Sequence, residues 1–599
     1  MDQLVNNRDL AFQLYEVLST DKLTEIEKFS DHSKHTFDAV IETAEKIAEK
    51  YFLPHNHKAD QNEPKFLDGK VEMIAEVKQA YDAYREAGFI SASMEFELGG
   101  MQLPFTISLA AAAYFTSANP STTGYGFLTG GAANLIRTFG NDNQKKFFLT
   151  KMLTGEFSGT MALTEPSAGS SLSDITTQAI HRADGSYNIK GQKIFISGGD
   201  HQLTNNIVHM VLAKIKDAPA GVKGISLFIV PKFRLDENGE PFEANDVNLA
   251  GLFHKMGYRG TTSTALSFGE NDDCVGYLVG QQHHGLKYMF QMMNEARLWV
   301  GFGAAMIGYR GYLASLAYAK ERSQGRLPAE KNPLSPQVNI IEHADVKRML
   351  LAQKSYVEGG VCLCFYSGTL VDQAENLAGE ESENAALLLD LLMPIVKACC
   401  SDYGLKANDL AIQVLGGSGY THEYPVEQCY RDNRLNPIHE GTNGIQALDL
   451  LGRKVWINSS KGLSLLANAI SQDIETSMNL QRSKIFAAVI SKALECCNKV
   501  TRHLGVSMAK TGADKTLANA TCYLDMMGKL VFSWMWLRQS IVAETALGKE
   551  LSVDETSFYQ GKLQAAQYFI KWELPKLYHQ ANLLNSLDDT CINMKENWF

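Results

Sequence analysis

The stretch Arg431–Leu451, RDNRLNPIHEGTNGIQALDLL, holds one carboxylate in a setting suited to proton abstraction. Asn436, Pro437 and Ile438 precede Glu440, so the chain approaches it extended. Gly441 and Thr442 follow, and Ile445, Leu448 and Leu451 then form an apolar stripe at helical spacing. The pattern predicts a turn at the mouth of a helix, with Glu440 aimed by backbone. A base that must meet a substrate carbon needs such a mounting. Taken alone, an acid at that place serves equally well as a partner of the helix dipole.

Three other loops have residue types that could hold a ligand. Met161–Ser170, MALTEPSAGS, closes a predicted strand with a small, hydroxyl-rich loop whose N–H groups suit a polar ligand edge. Phe195–Gly199, FISGG, places an aromatic and a hydroxyl before two glycines, as flanking a flat heterocycle requires. Gln413–Tyr420, QVLGGSGY, opens a glycine cluster from an apolar helical run, where backbone can come close to phosphates. Each has an ordinary alternative as a strand-end or helix-end turn. The last is no dinucleotide fingerprint, because G-x-G-x-x-G is absent. Gly301-Phe302-Gly303 fails the same test, with Met306 where the third glycine belongs. His55–His57 and His283–His284 lack a cysteine or carboxylate spaced to complete a metal site, so no metal is expected.

The elements that must position these loops change period along the chain. Residues 1–156 read as a helical domain: Asp38–Tyr51 carries Val40, Ile41, Ala44, Ile47 and Ala48 on one face, and Asp68–Ala87 repeats the pattern. Asn119–Arg137 is small and apolar, and Asn141–Thr154 is amphipathic up to Gly155. Residues 157–280 read as a β domain, with a hairpin signal at Asp184-Gly185. Residues 281–456 return to long helices, Tyr288–Arg322 and Asp345–Leu377, separated by a surface loop at Ser323–Glu342. Residues 457–599 form an additional helical domain.

Composition sets the class. A chain of 599 residues exceeds one core, so three or four domains are expected. The net charge of −11 argues against a general nucleic-acid or anionic-membrane binder. The ten cysteines include neighbours at Cys399–Cys400 and Cys496–Cys497 but no C-x-x-C, as expected of a reduced cytoplasmic chain. No secretory signal and no membrane span are read from the sequence.

Together, in this order, the domains and loops resemble the acyl-CoA dehydrogenase family. The signature T-E-P-x-A-G-S stands at Thr164–Ser170, the flavin-flanking strand at Phe195–Gly199, and K-M-G-x-R at Lys255–Arg259. An arginine ends the long helix at Arg322, Q-x-x-G-G-x-G-Y stands at Gln413–Tyr420, and E-G-T-x-x-I-Q at Glu440–Gln446. The resemblance covers roughly residues 80–455. The start RDLAFQLYEVL, the lengthened loop and the added C-terminal region resemble the branch of roughly 600 residues, which includes 3-methylmercaptopropionyl-CoA dehydrogenase-like and broad-range fatty-acyl-CoA dehydrogenases. The implied fold is α+β multidomain: an N-terminal helical domain, a middle β-barrel-like domain, a C-terminal four-helix bundle and the extra helical domain.

The resemblance implies FAD-dependent α,β-dehydrogenation of an acyl-CoA thioester to the trans-2-enoyl-CoA. Glu440 would take the α proton and flavin N5 the β hydride, with electrons passed to electron-transfer flavoprotein. It further implies that Met161, Leu163, Thr164, Phe195 and Ser197 line the flavin. Ser170 would meet a cofactor phosphate or the CoA arm. Arg322, Gln324, Gln413, Gly416 and Gly417 would bind the FAD pyrophosphate of the neighbouring subunit, Thr442 and Gln446 would complete the adenine side, and Asn294, Arg297 and Gly441 would reach substrate. A homodimer is implied, with no nucleic acid and no integral membrane association. Phe195 and Ser197 replace the usual Trp and Thr, and His343-Ala344 stands where the family has His-Gln. His439 stands where Tyr is common and is a candidate for tuning chain-length preference or the base. Some members carry the base on the long helix; aligned on Arg297 that position is Ala296, and Glu295 points about 100° away around the helix. An acyl-CoA oxidase is the alternative of the same fold. A DNA-binding alkylation-response relative is opposed by the balance of 15 Lys+Arg to 13 Asp+Glu after residue 460.

Overall fold

The computed structural model describes residues 3–599. The chain divides into two compact units, one spanning Lys34–Ala296 and one joining the residues before Lys34 to Arg297–Phe599.

The first of these opens with α1 (Lys34–Ile47), whose Phe37, Ile41 and Ala44 are buried. The expected helix over Asp68–Ala87 is shorter than its pattern. Lys65–Leu67 (β1) and Lys70–Glu72 (β2) pair as a hairpin instead, and α2 spans Ala75–Glu86. The cause is the Asp68-Gly69 pair, which takes φ of 48° and 77°, as a two-residue hairpin turn requires. Helix α3 (Phe105–Ala118) is buried on nearly every side. Helix α4 (Pro120–Phe139) starts on Asn119, whose side chain accepts from the Thr122 N–H, with Pro120 in the first turn.

The strands follow. They are β3 (Phe157–Ala162), β4 (Gln178–His181), β5 (Tyr187–Ser197), β6 (Asn206–Ile215), β7 (Ile225–Pro231), β8 (Phe233–Leu235), β9 (Pro241–Ala244), β10 (Val247–Leu252), β11 (Ser263–Phe268) and β12 (Val275–Leu278). The Asp184-Gly185 hairpin joins β4 to β5 as expected. Strand β4 pairs with both β5 and β6, so β5, β12, β7, β6 and β4 close a ring; β3 lies parallel to β6, and β11 and β10 extend from β5. Ala179, Ile189, Val211, Phe228 and Leu266 share one buried cluster, while Met161, Met210, Leu227 and Ile229 join a second with Ala132 and Ile136 of α4.

The other unit is helical. Helix α5 (Gly285–Glu321) enters it at Arg297; α6 (Ala344–Asn376) and α7 (Gly379–Leu415) run beside each other. Counter to the expectation from sequence, helix α7 and the turn after it are long and apolar enough to cross a membrane. Of its apolar window 72% is buried inside the protein, as in a core helix. Helices α8 (Val426–Asn433) and α9 (Asn443–Gly452) flank the Glu440 turn. The C-terminal region adds α10 (Lys461–Thr476), α11 (Gln481–Thr511), α12 (Ala520–Leu547) and α13 (Val553–Tyr568), with Trp534 and Trp536 fully buried on α12.

The segment before Lys34, grouped with the N-terminal domain on sequence grounds, packs in this helical unit. Lys562 of α13 pairs with both Asp9 and Glu358, and all three side chains are buried. Tyr309 donates to Asp9 at 2.9 Å. Arg8 binds Glu555 through two nitrogens and lies over the Phe558 ring.

Candidate active site

Glu440 lies outside the helix it precedes. Thr442 is the N-cap of α9, its hydroxyl accepting from the Ile445 N–H, so capping does not explain the carboxylate. Glu440 and Gly441 both take left-handed backbone, with φ of 54° and 84°. For a non-glycine residue that conformation costs about 1–2 kcal/mol, so the surroundings must hold it. Gln446, fully buried on α9, does this: its side-chain amide donates to the carbonyl oxygens of Glu440 and Gly441, each at 3.2 Å. A Cβ on residue 441 would stand 2.7 Å from that amide nitrogen, which explains the glycine.

Two cations act on Glu440. Arg297 of α5 is buried and lies 3.4 Å from Asp449 of α9. Lys397 of α7 is fully buried and donates to the Asn443 side-chain oxygen at 3.0 Å. Burial pushes the Glu440 carboxyl up from 4.5 to about 7, with Arg297 and Lys397 pulling it down. A carboxyl near neutrality is suited to general-base work at physiological pH. His439 donates through Nε2 to the Asn436 side-chain oxygen at 3.0 Å, and burial lowers it to about 3. It is therefore neutral near pH 7, with its proton on Nε2 facing that oxygen, which removes a charge that could tune its neighbour.

In the other unit the ends of β3 and β5 are tied together. Lys193 donates to the Leu163 carbonyl and to Glu165, both at 2.9 Å, and the Ile194 N–H donates to the Thr164 carbonyl at 2.9 Å. Glu165, buried, also accepts from the backbone and hydroxyls of Thr176 and Thr177. Burial alone would raise this carboxyl; Lys193 and the threonines outweigh it and hold it at about 2. Burial takes more from Lys193 than Glu165 returns, so its ammonium is lowered to about 8. The pairing of β11 with β5 shifts register opposite Ile194 and Phe195, and Phe195 takes φ of 58°. This bulge turns the Phe195 ring out, 58% exposed and 4.4 Å from Phe253 between ring centres. Met161 is buried on β3, Leu163 and Thr164 are half-buried, and Ser170 and Ser197 are exposed.

The glycine turn after α7 is open. Gly416 has φ 60° and ψ −134°, and a Cβ on Gly416 or Gly417 would meet nothing within 4 Å. The Tyr318 hydroxyl donates to Ser418 at 3.4 Å, which brings the end of α5, and with it Arg322, to this turn. The loop beyond Arg322 is closed by Gln324 N–H on the Val338 carbonyl at 2.9 Å and Ile340 N–H on the Arg322 carbonyl at 2.8 Å. His343 binds the Gln324 carbonyl at 2.7 Å. Arg322, Gln324 and Gln413 are exposed. An outward aromatic face with neighbouring hydroxyls and an open glycine turn beside an exposed arginine fit the ring and the phosphates of FAD, respectively. Thr442 and Gln446, assigned to the cofactor on sequence grounds, cap α9 and hold the Glu440 turn.

Asn294 is half-buried on α5. Ala296 is buried, and Glu295 accepts from the Asn134 amide at 2.5 Å, a structural attachment to α4. Among the described residues no group of three or more His, Cys, Asp or Glu could hold a metal ion. Sequence reasoning missed Lys397, Lys193 and Glu165 as a set. The only available signal was a lysine inside an apolar run, as in Pro394–Cys400.

Family models match the chain in order. The acyl-CoA dehydrogenase N-terminal domain covers residues 35–156, the middle domain 160–270 and the C-terminal domain 283–455. A model described as acetyl-CoA dehydrogenase C-terminal like covers 466–595. The chain is 34% identical over 588 residues to 3-methylmercaptopropionyl-CoA dehydrogenase of Ruegeria pomeroyi, spanning 98% of each. It is 35% identical over 607 residues to the broad-specificity linear acyl-CoA dehydrogenase FadE5 of Mycobacterium tuberculosis, spanning 99% of this chain and 98% of that one. An acyl-CoA dehydrogenase from Bacillus anthracis, solved with FAD, shares the fold with a TM-score of 0.74 at 21% identity, over 96% of this chain and 93% of that one.

Proposed function

The chain belongs to the acyl-CoA dehydrogenase family, FAD-dependent oxidoreductases acting on acyl-CoA thioesters, and we propose that Glu440 is its catalytic base. The observation that carries this is the mounting of Glu440. Its carboxyl is raised to about 7 on a left-handed turn outside the helix, with Gln446 gripping the backbone on either side of it. Bound FAD supplies a two-electron hydride acceptor at N5.

An α C–H beside a thioester is a weak acid, so negative charge develops on the thioester oxygen as the proton leaves. Glu440 takes that proton while the β carbon gives up a hydride, and the trans-2-enoyl-CoA remains. The Glu440 backbone N–H is the donor for the developing oxyanion. Arg297 and Lys397 favour the ionised form of Glu440 before the step, against its burial. Phe195, Ser197 and the Met161–Thr164 segment flank the flavin ring, and Arg322, Gln324, Gln413, Gly416 and Gly417 hold the phosphates of the neighbouring subunit's FAD. Ser170, Asn294, Arg297 and Gly441 serve the substrate. Electron-transfer flavoprotein is the proposed acceptor and a homodimer the proposed assembly.

The test is an anaerobic flavin-bleaching series across acyl-CoA chain lengths, repeated on Glu440→Gln. Bleaching by at least one chain length, lost in the variant, is expected; normal bleaching of Glu440→Gln would remove the base assignment. Oxygen consumption with hydrogen peroxide release would replace the proposed acceptor by oxygen.

A further inference from the structure

Lys397 sits in the middle of α7 within the apolar run Met393–Cys400, and its side chain is fully buried. An ammonium in such a place is costly without a charged partner. Its hydrogen bond goes to a neutral acceptor, the side-chain oxygen of Asn443, at 3.0 Å. Asn443 opens α9, three residues after Glu440. Its amide nitrogen is also held, by Asp402 at 2.8 Å and by Ser401 at 3.2 Å. Lys397 thus grips the end of the Glu440 turn from a neighbouring helix. Arg297, the other buried cation here, has its own carboxylate in Asp449. Lys397 has none within ion-pair distance among the described residues, and Glu440 is the foremost acid acting on it.

Resting on the reading of Glu440 as base, we propose that Lys397 is a positioning residue for the reaction, fixing the Glu440 turn through Asn443 and presenting a buried positive charge to the Glu440 carboxylate. A neutral glutamine could brace Asn443 equally well, so bracing alone does not explain a charge. The charge favours the ionised base and so sets the pH at which it becomes competent. The other charged groups of this neighbourhood are accounted for. Arg297 from α5 acts in the same sense as Lys397, and His439 is neutral. Asp449 is shared between Arg297 and Arg453, and Asp390 pairs with Lys454. Asp402, the second acid acting on Lys397, is engaged by Asn443 and raised by burial, with Lys406 opposing.

The experiment is the pH profile of kcat/KM for the FAD-loaded enzyme, with Lys397→Met, Lys397→Gln and Lys397→Arg. Loss of the charge moves the acid limb up by about 1–2 pH units. The Met and Gln variants are then about 10–100-fold slower at pH 6.5 and recover at pH 9, while Arg leaves the limb in place. A purely structural lysine would lower the rate equally at every pH, or leave it unchanged; either result in a folded, flavin-loaded variant overturns the proposal. If Lys397→Met does not fold, Lys397→Met/Glu440→Gln decides: folding restored by removing the opposing charge supports the pairing, and failure to fold overturns it. Glu440→Gln separates the two readings. Retained activity there removes the base assignment, whereas an inactive Glu440→Gln with an unmoved Lys397→Met profile removes this inference alone.

Discussion

The Gln446 side-chain amide holds the carbonyl oxygens of Glu440 and Gly441, each at 3.2 Å, and so fixes two consecutive left-handed residues. Replacing it by leucine leaves those carbonyls without their donor and frees the turn. Loss of a buried donor costs about 1–3 kcal/mol. Misplacement of a base by an ångström costs up to about 100-fold in rate. Gln446→Leu is expected to lower kcat by tenfold or more with KM changed little, in steady-state assays on flavin-replete protein.

Glu440 itself links protonation to stability. Its folded value lies near 7, above its ordinary 4.5, so the folded state holds the proton more tightly. Stability therefore falls as pH rises from about 4.5 to about 7, then levels. Glu440→Gln lacks this slope. The Tm of the variant relative to the natural protein is expected to be higher at pH 8 than at pH 5, by thermal unfolding at both. The same ionisation places the acid limb of kcat/KM near pH 7.

His439 is the contrasting neighbour. Burial holds it neutral, at about 3, against Asn436. His439→Phe is expected to leave the acid limb where it is, and a shift of that limb would show a charge on the imidazole.

How much of this was readable from residues alone follows sequence distance. The Glu440 turn was legible because its signals, Asn436-Pro437 before and Gly441-Thr442 after, are adjacent. The Asp184-Gly185 hairpin was legible for the same reason. Asp68-Gly69 carries the same turn chemistry but was absorbed into a helical pattern, because its strands are three residues each. Lys397 shows only as a lysine in an apolar run, because its partner Asn443 is 46 residues away on another helix. No residue pattern signals that the Gln446 amide, six residues on, folds back to the Glu440 carbonyl.

The buried Lys193–Glu165 pair makes a prediction about flavin retention. Lys193→Met leaves a buried carboxylate without its cation, which costs about 3–5 kcal/mol, and frees the Leu163 carbonyl. The variant is expected to purify with less flavin, and Lys193→Met/Glu165→Gln to regain part of the lost stability. Because Glu165 is held at about 2, its contribution is present above about 4.5 and is lost as pH falls toward 2. Acid unfolding curves of the natural protein and the double variant test this.

Lys562 predicts the reach of the N-terminal segment. Lys562→Met removes the buried cation that Asp9 and Glu358 share, leaving Lys354 as the remaining partner of Glu358. A loss of about 3–5 kcal/mol is expected in urea unfolding, with earlier proteolytic cleavage before Lys34.

That same lysine sets an order of events during synthesis. Asp9 and Lys562 are 553 residues apart. At about 5–20 residues per second, Asp9 leaves the ribosome roughly 30–110 s before its partner exists. Everything from Lys34 to Ala296 emerges in between as a continuous compact unit. The segment before Lys34, with Phe12 and Leu14 destined for full burial, must wait through that interval with these side chains uncovered. The nascent chain is thus committed to a delay in which these apolar side chains stay exposed.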